Sequence, residues 1–319
     1  MPASRIRFNK PQVNHLGFEY LIPPQRRNIF RIGAIRARRI RYRWRTNAPY
    51  LSGDSFASGC DYIAFGQSGV SPIDVKSLRS AKSIFVQGHK LSDFLREYGR
   101  EISAKTLISG NSDHNFLSVP ELPNSVKIFL CQNIAVQSDP RVHTLPIGIE
   151  NLRLGRSGLT KFHQNEKSER TISRVFLPPM SPTNCVRREV MQFAIQSPMI
   201  FDVAQRYLSE KKYFAVCRKY RFIFACEGNG FDNHRVWEIL YSGSFPVMFL
   251  TEWSRGLMEM GLPILFIKDL GELNSSMLES FSKAHSDFDP GDYEVLWMPY
   301  WLEIIESGMY RKPGLTQEF

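Results

Sequence analysis

The sequence predicts an α/β protein of two domains, each built on a parallel sheet. Three observations carry this. Short apolar runs recur along the chain and alternate with helical stretches, the pattern of strands buried on both faces. The alternation breaks once, just after Glu150, at the polar, glycine-containing stretch NLRLGRSGLTKFHQNEKSERTIS, which suits a connection between domains. The 319 residues exceed one domain of roughly 150 residues. With 43% of them hydrophobic, they supply enough apolar volume for two cores.

In chain order, the first feature is a basic segment at residues 26–45, RRNIFRIGAIRARRIRYRWR, which interleaves arginines with Ile, Phe, Tyr and Trp. This composition suits a phosphate-bearing surface, and equally a domain edge whose arginine stems cover apolar surface. The first domain, residues 1–150, then takes its strands from DYIAFG, KSIFVQG, KTLISGNSD, KIFLCQN and HTLPIGI, with a helix in HKLSDFLREYGREI. The second domain, residues 151–319, takes strands from RVFLPP, PMIFDV, RFIFACEG, FPVMFL and PILFIKDL. Its helices are expected from about Thr183, before Arg221 and after Asp232, with YEVLWMPYWLEIIESGMY as a closing helix rich in aromatics.

The formal charge of +10 favours anionic partners: nucleotide phosphates, nucleic acid or an acidic membrane surface. Five scattered cysteines without a CxxC pair exclude a disulfide framework and a zinc ribbon, and fit a reducing compartment. No apolar run is long enough to span a bilayer, and the N-terminus lacks the apolar core of a signal peptide. The expectation is a cytoplasmic protein, peripheral at most to the inner face of a membrane.

Residues 221–250, RFIFACEGNGFDNHRVWEILYSGSFPVMFL, hold the densest chemistry. Two strand-like runs enclose a turn containing Gly228, Asn229 and Gly230, followed by a helix whose expected N-cap is Asp232. At about 100° per residue, His234, Glu238 and Arg235 share one face and Val236, Ile239 and Leu240 the other. The polar face follows a buried strand, where parallel sheets bind ligands, and the helix start offers N–H groups to phosphate. His234 and Arg235 add donors, and Glu238 can accept from two neighbouring hydroxyls, as ribose presents. Each residue also has a plain structural use: Asp232 as a cap, Arg235 with Glu238 as an i,i+3 ion pair, Gly230 in a turn.

EGNGFDNHRVWEILYSGSFPVM resembles the donor-site segment of exostosin-like glycosyltransferases and their bacterial relatives, with Gly228, Gly230, Asp232, His234, Arg235, Trp237, Glu238, Leu240, Gly243 and Pro246 at the matching positions. LPIGIEN, SPTNCVRREV and PYWLEII resemble further parts of that family, so the likeness covers mainly residues 125–310. It implies a GT-B fold, two Rossmann-like domains facing a central cleft. It also implies acceptor on the first domain, sugar nucleotide on the second, and no required metal. The N-terminal half resembles the family only weakly, and no membrane anchor or stem is seen.

Inverting transfer requires a base in the first domain, at the end of a strand. Asp113 is preferred, because Gly110 and Asn111 before it permit a tight turn. Asp54 in YLSGDSF and His114 are the other candidates. Arg187, one turn into the helix after SPTN, is a second phosphate ligand or a solvated surface arginine. No His, Asp and Glu set has metal-ligand spacing, so metal-independent chemistry is expected, without a cofactor. The reading is a glycosyltransferase moving a sugar from a nucleotide sugar, a UDP- or GDP-sugar, to a hydroxyl of a glycan or glycoconjugate. Two alternatives stand beside it: a non-catalytic basic α/β protein binding nucleic acid or anionic membrane, and a glycosyltransferase acting on DNA.

Overall fold

The computed structural model describes residues 46–64, 73–135, 138–163, 170–204 and 208–313. The arginine-aromatic segment at residues 26–45 lies outside them. The first sheet contains β1 (Tyr62–Ile63), β2 (Ser83–Gln87), β3 (Thr106–Gly110), β4 (Ile128–Cys131) and β5 (Val142–Thr144) in sequential order, every pair parallel. Ile84 to Val86, Leu107, Ile108, Phe129 and Leu130 are buried, as continuous apolar runs require when helices cover both faces of a sheet. Helices α1 (Gly53–Ser58), α2 (Val75–Ser80) and α3 (Leu91–Tyr98) accompany it.

The second sheet contains β6 (Ile172–Leu177), β7 (Phe201–Val203), β8 (Tyr220–Phe224), β9 (Phe245–Phe249) and β10 (Leu265–Ile267) in the order β10-β9-β8-β6-β7, again all parallel. Its helices are α4 (Cys185–Gln196), α5 (Glu210–Cys217), α6 (His234–Tyr241), α7 (Ser254–Met258), α8 (Ser275–Ala284) and α9 (Met298–Ser307). The chain leaves β6 toward β7 on one side and returns to β8 on the other. The strand order therefore reverses between β6 and β8, and a crevice opens beyond their C-terminal ends.

Each half is thus a Rossmann-like α/β unit built on a parallel five-stranded sheet. Their junction is apolar. Leu51, Ile147 and Ile149 of the first unit share one buried cluster with Val236, Trp237 and Tyr241 of the second. Helix α9 crosses back to the first unit: Trp301 meets Phe56 edge-on at 5.7 Å, and Thr106 Oγ1 donates to the Ile305 carbonyl at 3.1 Å.

Two departures from the sequence expectation have physical causes. The expected strand in HTLPIGI stops at Thr144, because Pro146 has no N–H for a ladder and Gly148 sits at φ +67°. A Cβ at Gly148 would stand 2.1 Å from the Leu51 carbonyl oxygen. Helices α1, α2 and α7 span only five or six residues, too few for a 3.6-residue period to register. Among the described residues no helix is long and apolar enough to cross a membrane.

Candidate functional site

The crevice of the second sheet is bounded by the loops after β6 and β8. Asn184 caps α4 by accepting the Arg187 N–H at 3.0 Å, while its amide donates to the Glu227 and Gly228 carbonyls at 3.2 and 2.9 Å. Arg187 then ties the two loops together: Nε donates to Glu227 O at 2.6 Å, Nη1 to Ser181 O at 3.0 Å and Nη2 to Cys226 O at 3.4 Å. Arg187 is therefore no solvated surface arginine. Burial, and next the charge of Arg235, push its guanidinium below the ordinary arginine range. Three of its five N–H groups are engaged in these bonds, and the Cys226 thiol is also hydrogen-bonded to the guanidinium. A Cβ on Gly228 would meet Nη2 at 2.9 Å, so this glycine makes room for Arg187.

The cap of α6 differs from expectation by one residue. Asn233, not Asp232, caps it, accepting the Arg235 N–H at 3.1 Å. Asp232 is buried and accepts from Asn233 N at 2.7 Å, from Trp237 Nε1 at 3.0 Å and, across the domain junction, from Ile147 N at 2.8 Å. Burial pushes its carboxyl up to about 7, against the pull of these three donors. His234 Nδ1 donates to the Gly148 carbonyl at 2.8 Å. The opening N–H groups of Asn233 and Arg235 are thus spent on side chains, and Asp232 and His234 serve the junction with LPIGIEN.

The other two polar residues of α6 turn toward α5. Arg235 Nη2 donates to Pro179 O at 2.9 Å and its guanidinium lies 5.9 Å from the centre of the Tyr213 ring, while its buried Nε has no hydrogen-bond partner. Glu238 is 8% exposed, and no hydrogen bond or ion pair from the described residues reaches its carboxylate. The i,i+3 ion pair between these two residues is not formed. Its electrostatic field nevertheless acts on Arg235, Tyr213 and His163.

On the facing unit, the turn after β3 starts at Asn111, at φ +53°, as the Gly110-Asn111 pair predicts. Asp113 is exposed at the mouth, where its Oδ2 accepts from Asn229 Nδ2 at 3.3 Å. His114 is also exposed, its ring edge-on to Phe116 at 4.7 Å. Asp54 lies elsewhere in character. It is buried in the first turn of α1, paired to Arg153 Nε at 2.9 Å and hydrogen-bonded by Asn111 Nδ2 at 3.2 Å. Burial raises its carboxyl and the Arg153 charge opposes that rise. The two carboxylates are therefore not equivalent: a guanidinium occupies the one and solvent faces the other.

Two asparagines that the sequence reading passed over join the facing loops. Asn115 Oδ1 accepts Phe231 N at 2.9 Å and its Nδ2 donates to Asn229 O at 3.3 Å. Asn133, at φ +57°, accepts Asp232 N at 2.7 Å and donates to Ser112 O at 3.0 Å. Gly230 makes room for it, since a Cβ there would meet Asn133 Nδ2 at 2.7 Å. The available signal was a polar pair, Gln132-Asn133, directly after the buried β4. Among the described residues, no three His, Cys, Asp or Glu side chains gather as a metal site would need.

No family model matches this chain, and no curated protein matches it. Among solved structures, the pneumococcal O-GlcNAc transferase GtfA in complex with UDP and GlcNAc shares 10% identity at a TM-score of 0.34, over 74% of this chain and 59% of that one. A GtfA/B complex shares 11% identity at a TM-score of 0.30, over 77% and 59%. The chain spans 59% of the length of both.

Proposed function

We propose that this chain is a glycosyltransferase that moves a sugar from a nucleoside diphosphate sugar to a hydroxyl of a glycan or glycoconjugate, with inversion and without a metal. One observation carries it: Asp113 of the first unit and Asn229 of the second meet at an exposed mouth, directly above a switch-point crevice. The resemblance of residues 227–248 to exostosin-like donor segments supports the same reading.

In this reading Asp113 takes the proton of the acceptor hydroxyl as its oxygen bonds to the sugar's anomeric carbon and the bond from that carbon to the diphosphate breaks. The departing diphosphate gathers charge next to the guanidinium groups of Arg235 and Arg187, fixed charges that act where water is partly excluded. Glu238 takes ribose hydroxyls.

The test is a thermal-shift series with UDP- and GDP-sugars, followed by hydrolysis of the stabilising donor without acceptor. A ligand at one hundred times its dissociation constant stabilises by about 2.7 kcal/mol. No shift and no hydrolysis with any sugar nucleotide would remove the reading in favour of a non-catalytic basic protein, whose binding to anionic polymers would fall steeply with salt.

A further inference from the structure

We infer that Asn111 is a positioning residue for the transfer: a closed ring of hydrogen bonds with Asp54 and Asn151 fixes the turn from which Asp113 reaches the acceptor; this rests on Asp113 being the base, as proposed above.

The Asp54 N–H donates to Asn151 Oδ1 at 2.7 Å, Asn151 Nδ2 to Asn111 Oδ1 at 2.9 Å, and Asn111 Nδ2 back to Asp54 Oδ1 at 3.2 Å. Each amide has one orientation in this ring, because a backbone N–H only donates and an ionised carboxylate only accepts. Arg153 closes its outer side, with Nε on Asp54 Oδ2 at 2.9 Å. Asn151 and Arg153 belong to the segment joining the two units, where Asn47 Oδ1 holds the intervening Leu152 N–H at 2.9 Å. Gly53 leaves the space that Asn111 fills: a Cβ there would stand 1.7 Å from Asn111 Oδ1.

Asn111 stands at φ +53°, two residues before Asp113, and further bonds bracket Asp113. The Ser112 carbonyl accepts from Gln132 Nε2 and from Asn133 Nδ2, both at 3.0 Å, while Ser112 Oγ accepts the His114 N–H at 3.1 Å. The backbone on either side of Asp113 is thus tied to the first unit, and its carboxylate stays open to solvent beside Asn229. A general base needs this combination, because a misplacement of about 1 Å costs about 10²-fold in rate. The same ring also holds α1 to the connecting segment, so rate and stability have to be separated.

The experiment uses the full chain with Asn111→Gly, which removes the side chain and keeps the backbone free to hold its positive φ, and with Gly53→Ala, which keeps Asn111 and pushes it out of the ring. Without any substrate, hydrogen exchange at the bonded N–H groups of His114 and Phe116 is expected to quicken in both variants; unchanged exchange in either overturns the inference. With the UDP- or GDP-sugar that stabilises wild type, donor hydrolysis is expected to fall about 10- to 100-fold in each, at donor affinities within a factor of about two. In an Asp113→Asn background, Asn111→Gly is expected to slow hydrolysis no further, because the turn then has no base to aim. A second loss of about tenfold or more there marks a general structural role and overturns the inference. Wild-type rates in either variant overturn it too and leave the donor reading standing; if Asn111→Gly does not fold, Gly53→Ala decides, alone and in the Asp113→Asn background. An Asp113→Asn protein with wild-type hydrolysis takes down the base and this inference, not donor binding. Wild type that neither binds nor hydrolyses any sugar nucleotide takes down the donor reading with them.

Discussion

Asp232 carries its carboxylate across the domain junction and accepts the Ile147 N–H at 2.8 Å, in a site with 3% exposure. The contact joins two stretches that the sequence singled out separately, and it makes the junction sensitive to pH. Burial raises this carboxyl from its ordinary value to about 7. A raised carboxyl adds stability in full below its unfolded value, near 4, and the contribution is lost as pH rises through about 7. The wild-type advantage over Asp232→Asn, measured by urea unfolding, is therefore expected to shrink by roughly a few kcal/mol between pH 4 and pH 8. A difference that stays flat over that range contradicts it.

Gly230→Ala tests the asparagine contacts between the loops. Its Cβ would stand 2.7 Å from Asn133 Nδ2, so Asn133 must move off the Asp232 N–H. Loss of that buried bond is expected to cost about 1–3 kcal/mol, read as a lower melting temperature. Wild-type melting would mean that the loop re-forms around the added methyl group.

Arg235→Ala and Glu238→Ala are expected to weaken nucleoside diphosphate binding by about tenfold each, the size of one charge-assisted hydrogen bond, with circular dichroism unchanged. Calorimetric affinities equal to wild type in both variants would take α6 out of the donor site.

Asp113→Asn keeps the side chain's shape and an oxygen for Asn229, yet it cannot take a proton at neutral pH. Transfer is expected to fall by about 10²–10⁴, with donor affinity within a factor of about two. Asp54→Asn behaves differently, because it strands Arg153 in a partly buried site. Its expected signature is a stability loss of about 2–4 kcal/mol. Near wild-type turnover in Asp113→Asn would pass the base to His114, the other exposed candidate.

Replacing Arg36, Arg38, Arg39 and Arg41 with Gln is expected to reduce binding to anionic vesicles at low salt while donor hydrolysis stays intact, each basic residue near such a surface contributing about 1 kcal/mol. Wild-type protein that ignores those vesicles would make the segment a structural edge instead.

The strands of both sheets could be read from the sequence, because a strand buried on both faces must be apolar without interruption, as in residues 84–86 and 222–224. The turn at Asn111 and the cluster around α6 were legible for the same local reason: a chain reversal and a helix face are set by residues a few positions apart. What each polar side chain of that cluster touches was not. Asp232 and His234 find their partners in residues 147 and 148, Asn115 and Asn133 find theirs in residues 229–232, and His163 meets α6 from the connecting segment. A hydrogen bond is decided within a few ångströms in space, whereas period and composition carry no information on which distant backbone groups arrive there. The same limit separates Asp54 from Asp113: both are loop-like aspartates in the sequence, and only the folded chain sets an arginine against the first and leaves the second exposed beside Asn229.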